Sequence, residues 1–346
     1  MDRTVVRQLG LLVVAFVATL LLLGGAYVML SAQTSGPRRT DQPGSIAAGS
    51  SGLGPSGIAA PSASATAPNP SASGEKPSQP PDVVLTGAGD IASCGFNSDK
   101  ETSDLLIDQP GTIFTAGDNA YEDGTPEQFE KCYDPTWGRV KDRTLPAPGN
   151  HDWNTQGAAG YLGYFGTAAA PNGTTWYSTD LGAWHVIVLD SNCAKVGGCG
   201  VTSPQGRWLA ADLAAHADSR CTLAIWHHPR FSSGEHGDDA DVGPFWTQLV
   251  AADADLIING HDHDYERFAP QNAAGKEDRK NGIREIVVGT GGAGLRTFPT
   301  VQPNSEIRLA GELGVLRLTL HVVNYDWEFL PVDSHAITDY GSALCH

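Results

Sequence analysis

Between Val83 and His263 the sequence repeatedly closes a short apolar run with a small polar cluster, and that repetition restricts the fold more than any other feature. Val83-Val84-Leu85 leads to Gly89-Asp90, and Thr112-Ile113-Phe114 to Gly117-Asp118-Asn119-Ala120-Tyr121. Leu145-Pro146-Ala147 precedes Gly149-Asn150-His151-Asp152, Thr222–Trp226 precedes His227-His228-Pro229, and Leu256-Ile257-Ile258 precedes Gly260-His261-Asp262-His263. Runs this short, stopped by turn formers, read as strands delivering polar side chains at their exits. Helical stretches fall between them: Ser98–Gln109; a start at Thr125-Pro126-Glu127-Gln128 with capping-box chemistry; a Ser203-Pro204 start running through Leu213; and Pro244–Ala251. A hairpin is expected from Thr175–Thr179 and Trp184–Leu189, and closing strands from Arg284–Val288, Gly314–His321 and Asn324–Pro331. Early β-α-β-α alternation followed by antiparallel strands predicts a mixed α/β fold, two sheets with helices outside.

This pattern occupies only residues 82–346. Residues 1–30 carry Arg3 and Arg7 ahead of an apolar run, Leu9–Leu30, long enough to span a bilayer. The arginines place the N-terminus in the cytoplasm and export the downstream chain. Continuation of the run through Tyr27–Leu30 favours a retained anchor over a signal peptide cleaved near Gly24-Gly25-Ala26; either places the rest at the cell surface or outside it. Residues 31–81, rich in Ser, Ala, Gly and Pro, lack the bulk to form a core and read as a disordered linker. A formal net charge of −17 argues against nucleic acid or an anionic membrane as partner, leaving membrane association to the N-terminal segment. All six cysteines lie beyond the linker and, in an oxidising compartment, read as disulfides rather than buried free thiols or a Cys-only zinc site, which would need Cys-x-x-Cys spacing. Cys193–Cys199 across a Gly-rich loop is the first pairing expected, and Cys94–Cys132 with Cys221–Cys345 is one of the pairings left open for the other four.

Each polar cluster alone also suits an ordinary turn or a half-buried sheet histidine. Their joint occurrence after successive strands does not, because neighbouring strands finish at one sheet edge and bring their exits together. The assembled donors are Asp90, Asp118, Tyr121, Asn150, His227, His261 and His263, mixed oxygen and nitrogen ligands suited to borderline or hard metal ions. His261 and His263 alternate, so both face one side. Such ions would also reconcile an acidic chain with an anionic substrate.

In order, these clusters resemble the five motifs of calcineurin-like metallophosphoesterases, and more closely the purple acid phosphatase branch. The resemblance implies a four-layer αββα sandwich in its compact single-domain form, with Asp90, Asp118, Tyr121 and His263 on one metal. It places Asp118, Asn150, His227 and His261 on the other, Asp118 bridging. In that branch the tyrosinate-bound ion is Fe(III) and its neighbour Fe(II), Zn(II) or Mn(II). Most of the wider superfamily carries Asp-x-His in the first motif; here Asp90-Ile91-Ala92 lacks the histidine, and Tyr121 replaces it. The His-x-Pro pattern selects His227 and leaves His228 as a packing neighbour, and Tyr265-Glu266-Arg267 as structural support. The expected function is that of an exported hydrolase acting on small phosphate monoesters by attack of a metal-bound hydroxide, with His151 and His236 orienting the ester and protonating the leaving oxygen. A phosphodiesterase or phospholipase-type activity on the same centre is the alternative, and a catalytically silent binding protein a third. The substrate pocket is expected to draw its walls from Trp153–Ala170 and Cys193–Gly200.

Overall fold

The computed structural model describes residues 80–336 and 338–346. The expected anchor or signal peptide at 1–30 and nearly all of the linker at 31–81 lie outside the described residues. Among the described residues no helix is long and apolar enough to cross a membrane.

Two sheets carry the domain. The first orders six strands as Tyr340–Leu344, Asn324–Pro331, Gly314–Leu320, Val83–Ala88, Thr112–Ala116 and Thr144–Ala147. The last three run parallel, and Gly314–Leu320 joins Val83–Ala88 antiparallel. The second orders seven as Ser305–Leu309, Tyr265–Phe268, Arg284–Val288, Leu256–Asn259, Cys221–Ile225, Trp184–Val188 and Tyr177–Leu181. Its middle, from Arg284–Val288 to Trp184–Val188, is parallel, and antiparallel strands close both edges. A two-residue parallel ribbon, Ala92–Ser93 with Ala120–Tyr121, joins the loops beyond the first sheet.

Alternation along the second sheet explains the layering. Val186, Val188, Leu223 and Ile225 belong to the core shared with Leu85, Phe114 and Leu316 of the first sheet. The intervening Ile187, Ala224 and Trp226 pack with Leu209, Phe245 and Trp246 of the helices Pro204–Ala215 and Gly243–Ala251. Successive side chains of a strand face opposite sides, so one sheet serves two cores. Helix Ser98–Ile107 and the 3₁₀ stretch Trp137–Arg143 lie against the first sheet. The result is the expected mixed sandwich flanked by helices.

The three disulfides are Cys94–Cys132, Cys193–Cys199 and Cys221–Cys345. Thr125 caps its helix as its chemistry requires, but the α-helix lasts only Pro126–Gln128 before a π-helical turn, Phe129–Tyr133.

Candidate metal centre

Each motif residue comes after a strand, and all those strands finish at one end of the sandwich. Asp90 lies two residues past Val83–Ala88, Asp118 two past Thr112–Ala116, and Asn150 three past Thr144–Ala147, all in the first sheet. His227 comes after Cys221–Ile225, and His261 and His263 after Leu256–Asn259, in the second. The sheets are joined at this end: Gly89 N–H donates to the Val288 carbonyl at 2.9 Å, and His227 Nδ1–H to the Ala116 carbonyl at 2.8 Å. Asp90, Asp118 and His261 adopt positive φ (59°, 50° and 71°), a conformation uncommon for residues with a Cβ and frequent at functional turns.

Two donor groups share Asp118. In the first, Tyr121 Oη lies 2.8 Å from Asp90 Oδ1, 3.1 Å from Asp118 Oδ2 and 3.3 Å from His263 Nε2. In the second, His227 Nε2 lies 3.2 Å from Asp118 Oδ2, 3.1 Å from Asn150 Oδ1 and 3.2 Å from His261 Nδ1. The opposite atom of each key side chain is already engaged. Asp90 Oδ2 accepts from His261 N–H at 2.7 Å, and Asp118 Oδ1 from His151 N–H at 2.8 Å. His263 Nδ1–H donates to the Gly294 carbonyl at 2.7 Å, as His227 does to Ala116. Carbonyls only accept, so both histidines present an unprotonated Nε2 inward when neutral, the orientation that metal-binding imidazoles require. Space is equally tight: a Cβ on Gly149 would lie 2.1 Å from Asp118 Oδ1.

Charge in the centre is strongly coupled. Burial would raise the Asp118 carboxyl, but the His227 imidazolium and hydrogen bonds outweigh it and hold the group well below its ordinary range. Burial likewise lowers His227, yet Asp118 overrides it and lifts the imidazole to about 9. Burial first, then Asp118 and Asp90, push the Tyr121 phenol far up. Burial and the neighbouring His227 hold His261 down. Two buried carboxylates thus share protons with a phenol and an imidazole whose lone pairs converge on the same space. Cations can replace those protons without new donors, so the residues fit a metal pair chemically. Donor atoms of Asp90, Asp118 and His227 lie within 4.8 Å of one another, as do those of His227, His228 and His261.

The Calcineurin-like phosphoesterase profile matches residues 73–265, more than half of the chain. The chain belongs to the calcineurin-like phosphoesterase family. Among curated proteins it is 29% identical over 206 residues to an uncharacterized protein of Mycobacterium tuberculosis, covering 49% of this chain and 39% of that protein. It is 26% identical over 268 residues to probable inactive purple acid phosphatase 1 of Arabidopsis thaliana, covering 66% and 42%. The matches thus span about two fifths of each curated relative. Among solved structures, the yellow lupin purple acid phosphatase PPD1 superposes with a TM-score of 0.64 at 19% identity, over 76% of this chain and 54% of that one. The Plasmodium protein GAP50, described as an anchor in the inner membrane complex, gives 0.57 at 14% identity, over 77% and 89%. These two likenesses show a shared fold.

Around the centre of this calcineurin-like phosphoesterase, both expected histidines are near the donor groups. The His151 ring lies 4.4 Å from that of Tyr121; its Nδ1–H donates to the Glu122 carbonyl, leaving Nε2 3.9 Å from Asp118 Oδ2. His236 lies flat on His261, centroids 4.1 Å apart, and its Nε2 accepts from the Arg296 guanidinium. Burial and then that guanidinium lower the His236 pKa. His228 packs 4.4 Å from the His261 ring with Nδ1 held 2.7 Å from Ser191 Oγ, the neighbour role expected of it. Burial, then His227, bring it down to about 3.

Sequence reasoning missed Arg296, Ser191 and Asp262. Asp262 lies between two donor histidines in the bend that follows Leu256–Asn259, where His261 has a φ of 71°, and its carboxylate is taken up by a neighbouring loop. There it accepts from Ser232 Oγ, His236 N–H (2.8 Å) and Gly237 N–H (3.2 Å). The pocket walls also differ from expectation. Beside Tyr121, His151 and His263 opens a cleft of about 200 Å³ walled by Ser93, Phe96, Glu122, Ala293, Gly294 and Arg296. Cys193–Gly200 lines a separate cavity with Asp241, and Trp153 turns its indole N–H to Asp190 at 3.0 Å.

Proposed function

We propose that this domain hydrolyses small phosphate monoesters outside the cell. Supporting this most strongly is the pair of donor groups sharing Asp118, with each carboxylate's second oxygen fixed by a backbone N–H. Asp90, Asp118, Tyr121 and His263 would hold one ion; Asp118, Asn150, His227 and His261 the other. A phenolate is a hard anionic donor, which favours Fe(III) at the Tyr121 position, with Fe(II), Zn(II) or Mn(II) beside it. Such a pair supplies, when bound, a nucleophile from water near neutral pH and positive charge for the phosphoryl oxygens.

The remaining work belongs to side chains around the cleft. The ester P–O bond breaks as a new bond forms from phosphorus to the oxygen of water, giving an alcohol or phenol and inorganic phosphate. His151, doubly protonated, hands the Nε2 proton to the leaving oxygen while its Nδ1–H stays committed to the Glu122 carbonyl, and the proton given up by the attacking water restores it. His236 is the poorer acid, because Nε2 already accepts from Arg296, and it orients the ester instead. Export is supported by the Leu9–Leu30 run and by three disulfides.

Fold alone does not separate catalysis from binding, since GAP50 shares it and one curated relative is called probably inactive. The test is metal analysis, a visible spectrum, and turnover of 4-nitrophenyl phosphate against its bis-ester and a phospholipid. Two equivalents of metal with monoester preference would support the reading. Less than one equivalent, or no turnover of any ester by loaded protein, would sink it; bis-ester or phospholipid preference would select the alternative activity.

A further inference from the structure

Resting on that reading, we propose that Arg296 and Phe96 set the substrate class of the cleft: phosphate monoester dianions carrying a planar aromatic leaving group. Arg296 is the sole Lys or Arg among the lining residues. Its position is tied to the centre, since its backbone N–H donates to the His263 carbonyl at 2.9 Å. The guanidinium also meets His236, which stacks on His261, so Arg296 and His236 reach from one donor group to the other. A monoester near neutral pH carries a second negative charge that a diester lacks. A planar guanidinium, with paired N–H donors, matches two phosphoryl oxygens and favours the dianion.

An exposed aromatic alone signifies little. Phe96, 62% exposed, differs because it stands on the cleft wall at the end of a fixed turn. Its N–H donates to the Ser93 carbonyl at 3.1 Å, and the nearby Cys94 is tied to Cys132. A ring carried on a turn whose backbone is fixed can stack on a leaving group in the cleft. Glu122, exposed on the same wall, opposes additional negative charge and so disfavours polyphosphates.

The experiment compares metal-loaded wild type, Arg296→Gln, Arg296→Lys and Phe96→Ala on 4-nitrophenyl phosphate, its bis-ester and glycerol 2-phosphate. Calorimetry with inorganic phosphate is run alongside. Arg296→Gln is expected to lower kcat/KM for the aryl monoester about 10- to 100-fold, change the bis-ester less than about threefold, and weaken phosphate binding about tenfold or more. Arg296→Lys restores part of the loss, and metal content stays constant. Phe96→Ala lowers the aryl-to-glycerol ratio of kcat/KM about threefold or more. Equal losses on monoester and diester, or an unchanged aryl-to-glycerol ratio, would overturn the corresponding half of the proposal. If wild type hydrolyses no ester, the hydrolase reading falls, while calorimetry still decides Arg296: unchanged phosphate affinity in Arg296→Gln refutes its role.

Discussion

Replacing Gly117 by alanine should damage the centre without replacing a donor. Gly117 has φ +86°, and a left-handed conformation costs an ordinary residue about 1–2 kcal/mol. The added Cβ would lie 2.4 Å from His227 Nδ1 and 2.7 Å from His227 Cβ, so the whole ring must move. That motion breaks the 2.8 Å bond from Nδ1 to the Ala116 carbonyl, a buried interaction worth about 1–3 kcal/mol when one partner is left unsatisfied. The combined loss is about 2–5 kcal/mol, or roughly 4–20 °C in Tm for a domain of this size. Gly173→Ala is the control, because Gly173 also has positive φ (79°) but nothing lies within 4 Å of its Cβ; it should lose only the conformational part. Calorimetry with and without chelator, plus metal analysis, checks both variants. Gly117→Ala should lose more stability in the loaded protein than in the chelated one and bind less metal at the His227 position. A Tm within about 2 °C of wild type, or a loss matching that of Gly173→Ala with full metal content, would refute the argument.

Other parts of the molecule carry further expected outcomes. Burial raises Asp255 to about 6 against hydrogen bonds from Thr222 and His346. A carboxyl raised in the folded state contributes stability that is present below its unfolded pKa near 4 and is lost as pH rises through 6, about 3 kcal/mol in all. Asp255→Asn should therefore flatten urea-derived stability between pH 4 and 7; an unchanged slope would refute it. Changing Cys221 and Cys345 together to Ser opens a closure of 124 residues and should cost about 4–5 kcal/mol on the chain-entropy account, read as a drop in urea midpoint. Tyr121→Phe should abolish or shift any visible band of the metal-loaded protein while leaving its circular dichroism intact; an unaltered band would show that the phenol is no ligand.

Legibility in the sequence depended on how plainly each element shows its apolar side. Arg284–Val288 and Asn324–Pro331 form strands with the bounds their apolar residues suggest. Tyr265–Phe268, by contrast, is a strand whose two central residues are charged and buried. Arg267 pairs with Asp339 at 2.6 Å, and Glu266 accepts from Ser233 N–H at 2.7 Å, so tertiary partners replace the missing apolar pattern. Ser305–Leu309 was hidden similarly, with Glu306 paired to Arg284 at 2.9 Å. Capping chemistry located the start at Thr125 but carried no information about its end, where Phe129 and Tyr133 pack into the core. The residues that converge at the candidate centre stood out in the sequence because each belongs to a polar cluster that follows a short apolar run. Arg296 and Phe96 did not, because they reach the centre through loops whose path is set by distant bonds, the Cys94–Cys132 bridge among them.

The loops that carry Arg296 and His236 are both held by the turn that carries His261 and His263. His263 fixes one of them at two points: its Nδ1–H donates to the Gly294 carbonyl at 2.7 Å, and its own carbonyl accepts from Arg296 N–H at 2.9 Å. Asp262, buried between His261 and His263, fixes another through Ser232, His236 and Gly237. The turn Gly260–His263 therefore orients donors and cleft residues with one backbone conformation. Arg296 and His236, which differ in chain position and loop, meet because both are bonded to adjacent residues of that turn. Displacing the turn would move donors and cleft together, whereas changing the Arg296 or Phe96 side chain leaves the turn's backbone bonds in place and acts on the cleft, in the case of Arg296 also through His236. That separation is why substitutions at those two positions can report on substrate class while the metal content stays constant.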